Sequence, residues 1–152
     1  MKIPTDVLVQ FGQVGTLVVG SLGIWVAMLS QHRQLNGQMF IEVSGRFQEL
    51  LRLFPTEAWL ANRNPSHPLP PPSQEVTDCT LYCLQLIADV YHLHQGGYIS
   101  KHLWRLWECE IKHTLAGPIF QREWDGLAAE FTHYPYFVAY IEGLMRYKRP
   151  AL

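Results

Sequence analysis

A chain of 152 residues, 48% hydrophobic and only 16% charged, carries a net charge of −1, which argues against nucleic acid as a partner, since that wants a concentrated basic face. So low a charge content fits a chain partly dissolved in lipid or partly covered by a partner. Three cysteines, Cys79, Cys83 and Cys109, all inside helical patterns, do not make a secreted disulfide framework and point to a reducing compartment.

The stretch Val7 to Leu29, VLVQFGQVGTLVVGSLGIWVAML, runs 23 residues without an ionisable side chain. It predicts a single membrane span: at about 1.5 Å per residue it covers about 34 Å, against a hydrocarbon core of about 30 Å. A cleaved signal peptide is the competing reading, with Lys2 as its basic region. The run is longer than the usual apolar core of about 7 to 15 residues, however, and it closes on Trp25, Met28 and Leu29 rather than on small residues. Residues 1–30 are therefore read as an anchor. Gly12, Thr16 and Gly20 recur every four residues, and Gly15 and Gly23 lie eight apart, so the helix has a face of small residues through which a second helix can approach closely in lipid. This predicts pairing with another membrane subunit or with a second copy of the chain; the plainer reading is that glycine is common in membrane helices. No histidine lies within the run, which removes the usual axial ligand for an intramembrane haem, and no cofactor is expected. Lys2 before the span and Arg33 and Arg46 after it favour a cytoplasmic position for the rest of the chain.

Residues 31–54 predict a juxtamembrane helix that continues the span. Leu35, Met39, Val43, Phe47, Leu50, Leu51 and Phe54 recur at three and four, with Gln and Glu mostly on other faces. Gly37 and Gly45 each cost about 1 kcal/mol relative to Ala and are candidate bends. Residues 55–73 read as a Pro-rich loop, a stiff connector with polyproline character or a recognition site for a partner.

A helical domain, residues 74–152, is expected to pack on 31–54. Ser73 predicts the N-cap of a helix over 74–95 that stops at Gly96 and Gly97, with Val76, Cys79, Cys83, Leu86, Val90 and Leu93 buried. Ser100 caps another, running to Leu115 with an apolar face of Leu103, Trp104, Leu106, Trp107 and Ile111. Pro118 opens the next, and Pro135 opens the last. The fold class is all-α: one N-terminal transmembrane helix continuing into a small helical bundle. The closing Arg146, Lys148 and Arg149 form a candidate membrane-surface tail, each worth about 1 kcal/mol near an anionic leaflet; an ordinary solvated tail is the alternative.

Chemistry is sparse. Two carboxylate-x-x-His spacings, Asp89 with His92 and Glu110 with His113, suggest a di-iron bundle completed by Glu49 and Glu130. At 100° per residue, though, Asp89 and His92 turn away from their helix's apolar stripe. Only Glu110 projects into one, which makes Glu110, His113 and Trp107 a candidate buried polar site. A lone buried carboxylate needs a partner, and Arg46, Arg122 and His113 are the candidates. There is no nucleophile elbow, phosphate-binding loop or zinc-protease helix, so the expectation leans away from an enzyme and names no catalytic or metal-binding residue.

The blocks RQLNGQMFIEVSGRFQELLRLF, GYISKHLWRLWECEIKHTLAGPIFQREW and FTHYPYFVAYI resemble a group of short bacterial proteins of unknown function that have one N-terminal span, a juxtamembrane helix and a cytoplasmic helical domain. The resemblance lies in apolar and aromatic spacing over about half the chain. It implies an anchor in the bacterial inner membrane and carries over no functional residue. The expected function is a non-catalytic accessory or scaffold subunit of a membrane complex. The alternatives are an anchored enzyme or ligand sensor with a pocket near Glu110, or a self-associating membrane protein.

Overall fold

A computed structural model describes residues 5–64 and 66–146, with side chains from Trp25 onward except those of Val26, Leu29, His32 and Arg33. These residues form six helices and one 3₁₀ turn, with no strand among them: α1 (Thr5–Leu53), α2 (Thr56–Arg63), α3 (Gln74–Gln95), α4 (Lys101–Leu115), α5 (Pro118–Leu127), the turn Ala128–Phe131, and α6 (Pro135–Arg146). The chain divides into two units, one ending at Met39 and the other beginning at Phe40.

The first unit is the leading part of α1. Its backbone is helical across the whole Val7–Leu29 run, and the described apolar side chains near the end of that run are bare, Trp25 being 61% and Met28 54% exposed. Among the described residues no helix is long and apolar enough to cross a membrane. Most of the expected span, including the Gly12, Gly15, Thr16, Gly20 and Gly23 face, lies outside the residues whose side chains are described. Gly37 and Gly45 do not interrupt α1, which stays helical from Thr5 to Leu53.

The second unit holds the core, and local chemistry sets its helix ends. Ser73 is extended, and its hydroxyl accepts the Val76 N–H at 3.3 Å; Ser100 does the same for Leu103 at 3.3 Å. Each satisfies an amide that the first helical turn leaves without a partner. α3 closes in a Schellman motif. The Gly97 N–H reaches His94 O at 3.0 Å and the Tyr98 N–H reaches Leu93 O at 3.0 Å, with Gly97 at φ +75°, a conformation that favours a residue without Cβ. Pro118 and Pro135 each occupy a first helical position, where a missing N–H loses nothing.

The expected Pro-rich loop over 55–73 is only partly a loop. Residues 55–73 are not loop throughout, because α2 occupies Thr56–Arg63. The prolines that forbid a helix all lie beyond Arg63, whereas Pro55 sits at the N-cap with φ −54° and Glu57 and Arg63 suit the two ends of the helix dipole. The remaining Pro-rich stretch is held to the domain where Arg122 Nη1 donates to Pro70 O at 2.7 Å.

Leu84, Leu115, Ile119, Phe120, Phe137 and Ile141 are fully enclosed at the centre. Phe54 at the end of α1 stacks on Phe120 with ring centroids 6.3 Å apart. An aromatic cluster joins α3, α4 and α6: His94 lies flat on Trp104 at 4.3 Å, and Tyr91 stacks on Tyr140 at 4.9 Å. Leu86 and Leu93, expected inside, are half-buried, and Leu106 is exposed.

Candidate functional site

Among the described residues of the second unit, an apolar groove of about 420 Å³ lies between the end of α1, α3 and α4. Phe40, Val43 and Phe47 form one wall, Leu86, Ile87 and Val90 the floor on α3, and Leu106, Trp107, Glu110, Ile111 and Thr114 the wall on α4. Helical spacing explains why they meet: 40, 43 and 47 share one stripe of α1, and 107, 111 and 114 share one stripe of α4. The Phe40 and Trp107 rings lie nearly parallel, 12° apart in tilt and 6.0 Å between centroids. A groove of this size and lining lies within the usual range of small-molecule sites, about 300 to 1,000 Å³.

Polar atoms in the groove are few. Thr114 is 1% exposed, and its Oγ1 is enclosed with no hydrogen-bond partner among the described residues. Ser44 and Gln48 lie opposite, on α1.

Glu110, expected inside, has 48% of its side chain exposed, and it pairs with Arg63 of α2. The burial of α4 centres on Trp104, Ile111 and Leu115, which turns Glu110 to the edge of the apolar face. Its partner is none of Arg46, Arg122 or His113. Arg46 binds Glu42 at 2.7 Å, Arg122 binds Glu123 at 2.7 Å, and His113 is exposed. Arg63 also sits 4.8 Å from the centre of the Trp59 ring, which orients the guanidinium by a cation–π contact. Trp107 is half-buried and lines the groove beside Glu110, so two of the three expected residues share one site; His113 is not part of the lining. In the basic tail, Arg146 pairs with Glu142 at 2.7 Å, while Lys148 and Arg149 lie outside the described residues.

Two buried polar side chains had no sequence signal. Asn62 is 5% exposed. Its Nδ2 donates to Thr114 O at 3.1 Å, and its Oδ1 accepts the Ile119 and Phe120 amides at 3.1 and 3.4 Å. It thereby links the end of α4 to the start of α5. Glu123 accepts the Thr77 hydroxyl at 2.7 Å and Arg122 Nε at 2.8 Å, joining α5 to α3. Capping serines announce themselves next to the helix they cap; these contacts come from distant elements.

The three cysteines are free, Cys79 and Cys83 buried and Cys109 exposed. Burial pushes the Cys83 thiol up to about 12, with Cys79 nearby adding to the effect. Cys79 is also raised, by burial and then by Glu75 and Asp78. Both stay protonated at neutral pH, and protonated thiols are poor nucleophiles. Burial likewise raises the Tyr140 hydroxyl, followed by Glu108 and Tyr91. Among the described residues no group of three or more His, Cys, Asp or Glu gathers as metal ligands. Asp89 and His92 both face outward. Compared with protein-family models, curated proteins and solved structures, the chain matches none.

Proposed function

We propose that the protein is a non-catalytic accessory or scaffold subunit of a bacterial membrane complex, anchored once in the inner membrane by Val7–Leu29 with its helical domain on the cytoplasmic side. The observation that carries this reading is the character of α1. It holds a run of 23 residues without an ionisable side chain, helical throughout, with Trp25 and Met28 bare at its end. Water penalises such exposure by about 25 cal/mol per Å² of apolar surface, whereas lipid or a partner helix does not. A tryptophan near the end of an apolar run also suits the membrane interface.

Association is assigned to the small-residue face of Gly12, Thr16 and Gly20, flanked by Gly15 and Gly23, where close backbone approach rather than hydrophobicity drives pairing in lipid. Washing native membranes with alkaline carbonate and then solubilising them in mild detergent tests the reading. The protein should resist the wash and copurify with another membrane subunit. Release by the wash would contradict the anchor, and a lone monomer would contradict the subunit role.

A further inference from the structure

Three tyrosines stand bare at one end of the second unit. Tyr98 is 69%, Tyr134 48% and Tyr136 81% exposed, and all three lie beside the end of α3. The Tyr98 N–H donates to Leu93 O at 3.0 Å, the Tyr134 ring packs 4.9 Å from that of His92, and the Tyr136 carbonyl accepts the Tyr91 hydroxyl at 3.4 Å. α4 begins at the same end and brings Lys101 and Arg105, both exposed. Arg105 Nε turns back to Lys101 O at 3.3 Å, and neither cation meets a carboxylate among the described residues. Residues 90–107 and 131–141, which build this end, contain no Asp or Glu, whereas Glu57, Glu75 and Asp78 stand at the starts of α2 and α3.

This end is also where the leading part of α1 joins the domain. α3 runs antiparallel to the last part of α1: Cys79, near the start of α3, meets Leu53 O at 3.5 Å, while Val90, near its end, lines one groove with Phe40 and Val43. Phe40 is the first residue of the second unit, and from Leu29 to Phe40 the chain reaches about 16 Å as helix. That length keeps the tyrosines within reach of the headgroups of a bilayer that holds residues 7–29. Tyrosine is favoured at headgroup level, where its ring meets hydrocarbon and its hydroxyl stays wet. Cations without carboxylate neighbours are drawn to an anionic leaflet.

We propose that the turn between α3 and α4, together with the start of α6, is a membrane-docking face that binds the anionic lipid headgroups beside the anchor. Tyr98, Tyr134 and Tyr136 settle at headgroup level, and Lys101 and Arg105 pair with lipid phosphates. Docking rests on the anchored reading above and adds to it a second, reversible attachment, which holds the domain against the bilayer.

The test places a nitrobenzoxadiazole fluorophore at one end of α3 or the other, through Gln95→Cys or Gln74→Cys in the full chain carrying Cys109→Ser. Cys79 and Cys83 are buried and stay unlabelled; positions 74 and 95 are exposed and stand about 32 Å apart along the helix. Nanodiscs of equimolar phosphatidylglycerol and phosphatidylcholine carry a trace lipid with a nitroxide on its headgroup, which quenches a label at that level. The label at 95 should be strongly quenched and the label at 74 should not. The ratio of quenched to unquenched lifetime components at 95 should fall about ten- to thirtyfold with Lys101→Gln plus Arg105→Gln, the worth of two basic residues near an anionic surface. It should also fall with Tyr98→Ser plus Tyr136→Ser, circular dichroism staying unchanged in both. Docking is overturned if the two ends of α3 are quenched alike or if either double variant leaves the ratio at 95 unchanged. It is overturned too if the label at 95 shifts to the blue without being quenched, because protein then covers the face. A chain that does not stay with the disc on size exclusion overturns the anchor itself, a failure distinct from a chain that stays with the disc and leaves position 95 unquenched.

Discussion

The Asn62 side chain of α2 lies directly against Gly117, in the space that a Cβ at position 117 would fill, and from there it caps α5. Gly117 is the N-cap residue but has no side chain to offer, so the Asn62 carbonyl oxygen supplies the acceptor for the Ile119 amide at 3.1 Å. Both parts of the contact are required. Asn62→Ala leaves the Ile119 and Phe120 amides at the start of α5 without their acceptor and takes one donor from the Thr114 carbonyl, which keeps the Gly117 N–H at 3.2 Å, and Gly117→Ala drives a methyl group into the amide. Each should destabilise the domain by about 2 to 3 kcal/mol, from lost buried hydrogen bonds in the first case and overpacking in the second. Urea unfolding followed by circular dichroism gives the number, and a loss below about 0.5 kcal/mol in both variants would remove Asn62 from this role.

The Arg63–Glu110 pair is a different kind of contact. With 30% and 48% of the two side chains exposed, solvent and salt screen it. A double-mutant cycle with Arg63→Met and Glu110→Gln should return a coupling of about 1 kcal/mol or less that shrinks as salt is added. A coupling of several kcal/mol, insensitive to salt, would mean that the pair is far drier than its exposure indicates.

These contacts also show where the sequence was readable and where it was not. The ends of α3, α4, α5 and α6 follow from Ser73, Ser100, Pro118 and Pro135, because a cap or a first-turn proline acts on its immediate neighbours and leaves its mark there. α2 was hidden by the prolines that follow it. Missing α2 also hid Arg63, the partner of Glu110, and Asn62, the cap of α5. Gly117 lies just past the end of α4, where a glycine is common, but its closer constraint, the approach of a side chain from α2, has no local pattern. The groove left a faint trace in Leu106 and Phe40, apolar residues that the burial of their helices leaves exposed. The orphaned Thr114 hydroxyl left none, since a threonine at an inward helical position looks the same with or without a partner.

Thr114→Val should behave oppositely to most core substitutions. It keeps the shape of the side chain and removes an enclosed hydroxyl that has no partner among the described residues, so the domain should gain up to about 1 kcal/mol. Thr80→Val, where the hydroxyl bonds Val76 O, is the matched control and should gain less or lose. Equal effects at the two positions in urea titrations would show that the Thr114 hydroxyl is satisfied in solution.

Alkaline pH should weaken the fold through Cys83. Its thiol titrates at about 12 in the folded protein against an ordinary 9.0, so the folded state favours the neutral form. The stabilising contribution is complete below the ordinary value and is lost as pH rises through the window between the two. Thermal melts across that window should fall more steeply for the native chain than for Cys83→Ala. At neutral pH a maleimide should label the exposed Cys109 and reach Cys79 and Cys83 only after unfolding; rapid labelling of all three in the folded protein would contradict their burial.

As proposed, the uncharged run of α1 holds the protein in a membrane and joins it to a partner through its small-residue face. Native mass spectrometry of the particle solubilised from its own membranes measures this most directly, comparing the native chain with Gly20→Ile. The particle should be heavier than the 17.6 kDa chain, contain a second membrane subunit and fall to the lone chain with Gly20→Ile. A native particle already at the mass of one chain, or a complex that Gly20→Ile leaves intact, would contradict it.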